Sequence, residues 1–179
     1  MKKIVTLLLV SLCTKAIVFG QHKQTGPIIS DFGAVATVEN TNFKTDTEKT
    51  YKVVFDIMNS PKQHDALNKS IETAARFLNM HAQSGVPKSQ LHVALVVHNA
   101  ASKDLMDSAS YLKTYGVANP NEELIKSLLK ANVKVVFCGQ SSVSRNIPKN
   151  KLIPGVQLAL SAMTALTILQ DDNYRLIKF

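Results

Sequence analysis

The sequence predicts one α/β domain, a three-layer α/β/α sandwich around a mainly parallel sheet of about five strands. Two observations carry that reading. Short runs of Val, Ile, Leu and Phe alternate along the chain with segments whose apolar residues recur at three- and four-residue spacings, the signatures of buried strands and of helices with one apolar face. Strands separated by helices are joined by crossovers, and crossovers produce parallel pairing. The 179 residues, 45% hydrophobic and 19% charged, suit a single ordinary core, and there is neither a repeat nor a second domain.

The first twenty residues stand apart from that core. Lys2 and Lys3 precede an apolar run over residues 4–10, and Val18 and Gly20 precede Gln21. This order reads as a secretory signal peptide cleaved near Gly20-Gln21, so an exported, periplasmic protein is expected. Lipid attachment at Cys13 is disfavoured because Leu12, a large residue, precedes it. Residues 21–50, rich in Thr, Asn, Lys and Gly, read as an N-terminal arm with one edge strand near 34–38, and residues 51–179 as the α/β domain.

Within the domain, Val53-Val54-Phe55-Asp56-Ile57-Met58 reads as a buried strand closed by the turn-like Asn59-Ser60-Pro61. Leu67, Ile71, Ala74, Ala75 and Leu78 share one helical face, and Gly85 and Pro87 end that helix. A second strand is expected over 91–98. Leu124, Ile125, Leu128 and Leu129 mark another helix, and 133–137 a third strand. A last helix is expected to begin near Pro154 and to be apolar almost all round from 156 to 169, and the chain to close on a strand within 174–179.

Composition excludes several classes. The formal charge of +8 falls to +5 once Lys2, Lys3 and Lys15 leave with the signal peptide, and the remaining lysines are scattered without interleaved aromatics, so nucleic-acid binding is not expected. No stretch has the roughly 18 apolar residues of a membrane span. His22, His64, His81 and His92 lack metal-ligand spacing, and there is no glycine-rich phosphate loop and no Gly-x-Ser-x-Gly elbow. No cofactor is expected.

Open parallel sheets bind ligands beyond the carboxyl ends of their strands. That rule selects three places, Asp56 to Asn59, His98-Asn99 and Cys138-Gly139-Gln140-Ser141, of which the last two carry groups that could cooperate, an imidazole and a thiol. Loss of Cys13 leaves Cys138 without a disulfide partner, which suits either a reactive thiol or a small buried apolar residue. A helix starting just after Ser141, with Arg145, Lys149 and Lys151 nearby, would favour the thiolate, and Gly139 would let backbone approach a ligand. His98 is either a proton carrier for that thiol or a strand-end group bonded to backbone.

The block Val135-Val136-Phe137-Cys138-Gly139-Gln140-Ser141, with Leu152-Ile153-Pro154-Gly155-Val156, Ser161-Ala162 and Tyr174-Arg175-Leu176-Ile177, resembles the DsrE/DsrF-like family. Leu95-Val96-Val97-His98-Asn99 resembles a family segment that commonly reads Val-His-Gly, with Asn99 in place of the glycine. The resemblance, over residues 51–179, implies a DsrEFH-like fold and homo- or hetero-oligomers, and together with the apolar circumference expected for 156–169 it points to a homo-oligomer, a trimer or hexamer. It also implies a cysteine, here Cys138, that accepts sulfane sulfur as a persulfide from a thiol-bearing donor protein and yields it to an acceptor. The alternative is a non-catalytic oligomeric module that binds a small ligand or protein segment and uses Cys138 structurally.

Overall fold

The computed structural model describes residues 23–178. The expected signal peptide, with Cys13, and His22 lie outside the described residues. The arm opens with β1 (Lys23–Gln24) and β2 (Val35–Ala36), and the domain continues through β3 (Tyr51–Ile57), α1 (Lys69–Gln83), β4 (Leu91–Val97), α2 (Ser108–Tyr115), α3 (Glu122–Lys130), β5 (Lys134–Cys138), α4 (Gly139–Ser144), β6 (Gln157–Ala159), α5 (Ala162–Asp171) and β7 (Arg175–Ile177).

Five strands form one sheet in the order β6-β5-β4-β3-β7, and every neighbouring pair is parallel. The expected sheet of about five strands is therefore present. β3, β4 and β5 occupy the middle, where both faces are covered, which is why their sequences run apolar almost without interruption.

The two faces are covered unequally. On one, α1 and α3 supply Ile71, Ala74, Leu78, Leu124, Ile125 and Leu128 to a large core with Phe55, Leu95 and Phe137. On the other, α5 alone lies across all five strands. It seals a smaller core of Val54, Ala94, Val96, Val136, Cys138, Ala162, Ala165, Leu169 and Tyr174. Successive strand residues point to opposite faces, so the odd-numbered apolar positions of β3 and β4 serve the first core and the even-numbered ones the second.

Helix starts follow local chemistry. Asn68 caps α1 by accepting the Ser70 N–H at 3.0 Å, Asp107 caps α2 through Ser110 N–H at 2.7 Å, and Ser161 caps α5 through Thr164 N–H at 3.0 Å.

Three expectations need correction. The run 156–169 is not one helix: it divides into the three-residue edge strand β6 and a helix that begins only at Ala162, while Pro154 and Gly155 form the turn before β6. Short apolar runs are ambiguous between strand and helix, and pairing with β5 decides this one. The arm's strand-like patch does form β2, but it pairs antiparallel with β1 in a separate ribbon rather than edging the main sheet. Helix α4 begins directly at Gly139, ahead of Ser141.

Several side chains of α1 hold the arm, Asn79 with the most hydrogen bonds. Asn79, fully buried, accepts the Ile29 N–H at 2.9 Å and donates to the carbonyls of Ile29, Phe32 and Gly33. Gly33 sits so close to α1 that a Cβ would lie 2.5 Å from the Ala75 carbonyl carbon, and its φ of +70° suits glycine.

Candidate functional site

The carboxyl ends of β3, β4 and β5 bring three chemically capable residues to one face. β4 and β5 pair Val97 with Phe137, so the next residues, His98 and Cys138, stand side by side at their strand ends. Both follow by two positions a residue of the smaller core, Val96 and Val136, and so face the same layer. Asp56 follows Val54 in the same way on β3.

Cys138 ends β5 and is the N-cap residue of α4, with extended backbone (φ −69°, ψ 119°). It is 5% exposed. Two cavities lie elsewhere, one between the arm and the end of α1 and one beside Tyr51 and Arg175. Burial by itself pushes the thiol up, but the Ser141 N–H and hydroxyl, followed by the N–H groups of Ala162 and Gln140, outweigh it and hold the thiol below its ordinary value. Two of these amides open α4 and one opens α5, so two chain segments converge on the sulfur. None caps the helix through a full hydrogen bond to the neutral thiol; what they favour is the anion.

The other expected residues frame this point. Ser141 Oγ accepts the Asn99 N–H at 3.1 Å. Asn99 Oδ1 accepts from Arg145 Nη2 at 2.7 Å, and its carbonyl accepts from Ser102 Oγ at 2.6 Å. Asn99 has φ +53°, in the left-handed region, so asparagine keeps a backbone conformation in which glycine is the freest residue. Arg145 is thereby turned to Asn99, and the pull on the thiol comes from neutral donors.

Gly139 does allow close approach, but of the protein's own backbone: a Cβ there would lie 2.5 Å from the Ala159 carbonyl oxygen and 2.9 Å from that of Leu160. Gln140 Nε2 donates to the Leu160 carbonyl at 3.3 Å. The β6–α5 junction is thus clasped over the cysteine loop. Gly139 and Gln140 contact this junction, and Asn99, Ser141 and Arg145 bridge the β4 and β5 loops.

His98 is bonded to a side chain, not to sulfur and not to backbone: its Nε2 lies 2.7 Å from Asp56 Oδ1. The other carboxylate oxygen lies 3.0 Å from Lys178 Nζ. Burial tends to raise the Asp56 carboxyl, but the hydrogen bonds from Lys178 and His98 and the positive charge of Lys178 hold it below the ordinary carboxylate range. Sequence reasoning placed Asp56 at the carboxyl end of the first strand but gave it no role in the site. The available signal was an acidic residue at an even, inward-facing position of that run.

No group of His, Cys, Asp and Glu among the described residues is arranged to hold a metal ion, and none of the described helices is long and apolar enough to cross a membrane.

Comparison with solved structures finds the same fold in several chains, two of which illustrate it. One is MTH1491 from Methanobacterium thermoautotrophicum, a protein of unknown function, at 15% identity and TM-score 0.56. The other is the ychN protein from E. coli, at 19% identity and TM-score 0.54. Each match covers 72% of this chain and 99% of the other. No curated protein matches the chain. The model of the DsrE/DsrF-like family matches residues 52–179, from the start of β3 through the cysteine loop to the last strand, and the chain belongs to the DsrE/DsrF-like family.

Proposed function

We propose that this protein is a thiol-based sulfur carrier in which Cys138 accepts a sulfane sulfur as a persulfide and passes it to an acceptor thiol. The observation that carries the reading is the convergence of the Ser141, Gln140 and Ala162 N–H groups and the Ser141 hydroxyl on the Cys138 sulfur, which favours the nucleophilic thiolate. Family membership supports sulfur relay as a class of activity. Carrier chemistry needs a thiolate, room for one more sulfur and access for a partner's thiol, and no cofactor.

A second reading is favoured by the 5% exposure of Cys138. In it the protein is a non-catalytic oligomeric module binding a small ligand or protein segment, and the cysteine only fills the smaller core. In the carrier reading the covering segment 159–162 yields to the incoming donor. That segment starts at the last residue of a three-residue edge strand, and Leu160 within it is exposed.

We further propose a homo-oligomer, a trimer or a hexamer, assembled through the side of α5 that faces away from the sheet, where Met163 is 77% and Ile168 57% exposed. An exported, periplasmic location after cleavage near Gly20-Gln21 completes the reading.

Alkylation of the native protein at neutral pH tests the thiol, and intact mass after exposure to a low-molecular-weight persulfide tests the carrier. The carrier reading expects alkylation without denaturant and a mass gain of one sulfur atom that Cys138→Ser abolishes. Alkylation only after unfolding, with no mass gain, would move the conclusion to the binding module.

A further inference from the structure

The layer under α5 is apolar except at one end. There Asp56, with its side chain 7% exposed, and His98, 23% exposed, meet beside Cys138, and Lys178 closes over them from beyond β7. A cluster of charged and titratable groups in so thin a layer is poor evidence of stability, since apolar side chains of similar volume usually serve as well.

Its geometry is informative about protons. Asp56 is held ionised by its neighbours, so it accepts, and the 2.7 Å contact fixes Nε2 of His98 as the donor. Nδ1 is then the basic atom of the neutral ring, and among the described residues it makes no hydrogen bond. The other charged or titratable groups near the ring are Cys138 of β5, Lys178, and Arg145 just past α4, which is held on Asn99. Lys103 and Asp104, in the segment after β4, are paired with each other at 2.7 Å. Helix α5, which covers this face, has no titratable side chain before Asp171 at its end.

We propose that Asp56, anchored by Lys178, is the positioning residue of the Cys138 site, holding His98 so that Nδ1 takes the Cys138 proton and returns it to the departing thiol. This rests on the reading of Cys138 as a sulfur carrier. The Cys138 thiolate attacks the terminal sulfur of a donor R–S–SH, forming a new S–S bond as the donor's S–S bond breaks. The bonding pair leaves on the donor sulfur, which takes the proton held by His98 and departs as R–SH. Cys138 keeps the terminal sulfur as a persulfide, with no net oxidation or reduction. The imidazole and thiol are not hydrogen-bonded in the free protein; such contacts commonly close only with the reactant bound, or through one water.

The experiment combines a long-range ¹H–¹⁵N spectrum of the imidazole with rates of persulfide loading and of iodoacetamide alkylation at Cys138, in the full chain and in Asp56→Asn, Asp56→Glu, His98→Gln and the Asp56→Asn, His98→Gln double variant. The expected spectrum shows the Nε2–H form of His98, lost in Asp56→Asn. Loading is expected to slow by at least about tenfold in each single variant, with the double variant no slower than His98→Gln and partial recovery in Asp56→Glu.

An Nδ1–H ring in the unaltered protein, wild-type loading rates in the variants, or slowing that multiplies in the double variant would overturn the proposal while leaving the carrier reading intact. If the unaltered protein takes up no sulfur, the carrier reading falls and alkylation decides on Asp56. Non-additive slowing in the same variants upholds its positioning role, and unchanged rates remove it. Should Asp56→Asn fail to fold, the ring form in the unaltered protein and the His98→Gln rate decide the matter.

Discussion

At the scale of single residues, a thiol's environment matters more than its position in the chain. Cys138 was legible as a strand-end cysteine without a disulfide partner, and so was the glycine after it. The donors that tune the sulfur were only half legible. The amides of Gln140 and Ser141 follow from a helix starting at the cysteine, whereas the Ala162 N–H arrives from a segment more than twenty residues away, and only the folded chain brings it there. Gly139 was legible as a position of close approach, but not which atoms approach. Gly139→Ala is expected to destabilise the domain by about 1–3 kcal/mol, because the new methyl meets backbone that cannot swing away. Urea unfolding checks this, and an unchanged midpoint would mean that the β6–α5 junction gives freely. Cys138→Ser should stay folded, because the hydroxyl can accept from the same amides, and coincident urea curves for the two proteins would show it.

At the scale of elements, the one-faced helical periodicity and the short buried-strand runs were read correctly, and the stretch that is apolar all round was not. The spacing of Ile71, Ala74, Ala75 and Leu78 matches α1, because one buried face over fifteen residues leaves little ambiguity. The stretch 156–169 was misread because Gln157–Ala159 is a strand only through its pairing with β5, which local sequence does not encode. The arm was likewise fixed by a distant partner: its contact with α1 depends on Asn79, which a helical pattern marks only as a polar residue near an apolar face. Asn79→Ala is expected to cost about 2 kcal/mol by leaving arm backbone groups unpaired, and to raise hydrogen exchange over residues 23–36 while the central strands stay protected. Glu72 secures the same arm by accepting the Gly33 N–H at 3.1 Å. Burial tends to raise its carboxyl, but Lys69 and the Gly33 N–H lower it overall. Asp56 is also lowered. A carboxylate depressed by folding stabilises fully above its unfolded value, about 4, and loses that contribution as pH falls through the lower folded value. Stability is therefore expected to drop as pH falls below about 4, and Glu72→Gln should remove part of that drop in urea titrations.

At the scale of the whole molecule, the strand–helix alternation was enough to give the α/β class and the parallel sheet, but not the order β6-β5-β4-β3-β7 or the unequal covering of its faces. One helix over five strands leaves Leu160, Met163 and Ile168 exposed, close to the segment that covers Cys138. If this side is the contact between subunits, Met163→Glu should dissociate the assembly, and light scattering at tens of micromolar should report a monomer where the unaltered chain is a trimer or hexamer. A unaltered chain that is itself monomeric would remove the oligomer from the account. The carrier claim is tested most directly by peptide-level mass spectrometry of the folded protein after brief exposure to a persulfide donor, with thiols trapped before digestion. The account predicts one extra sulfur on the peptide containing Cys138, removed when an acceptor thiol is added. An unmodified Cys138 peptide under conditions that load a free cysteine peptide would contradict it.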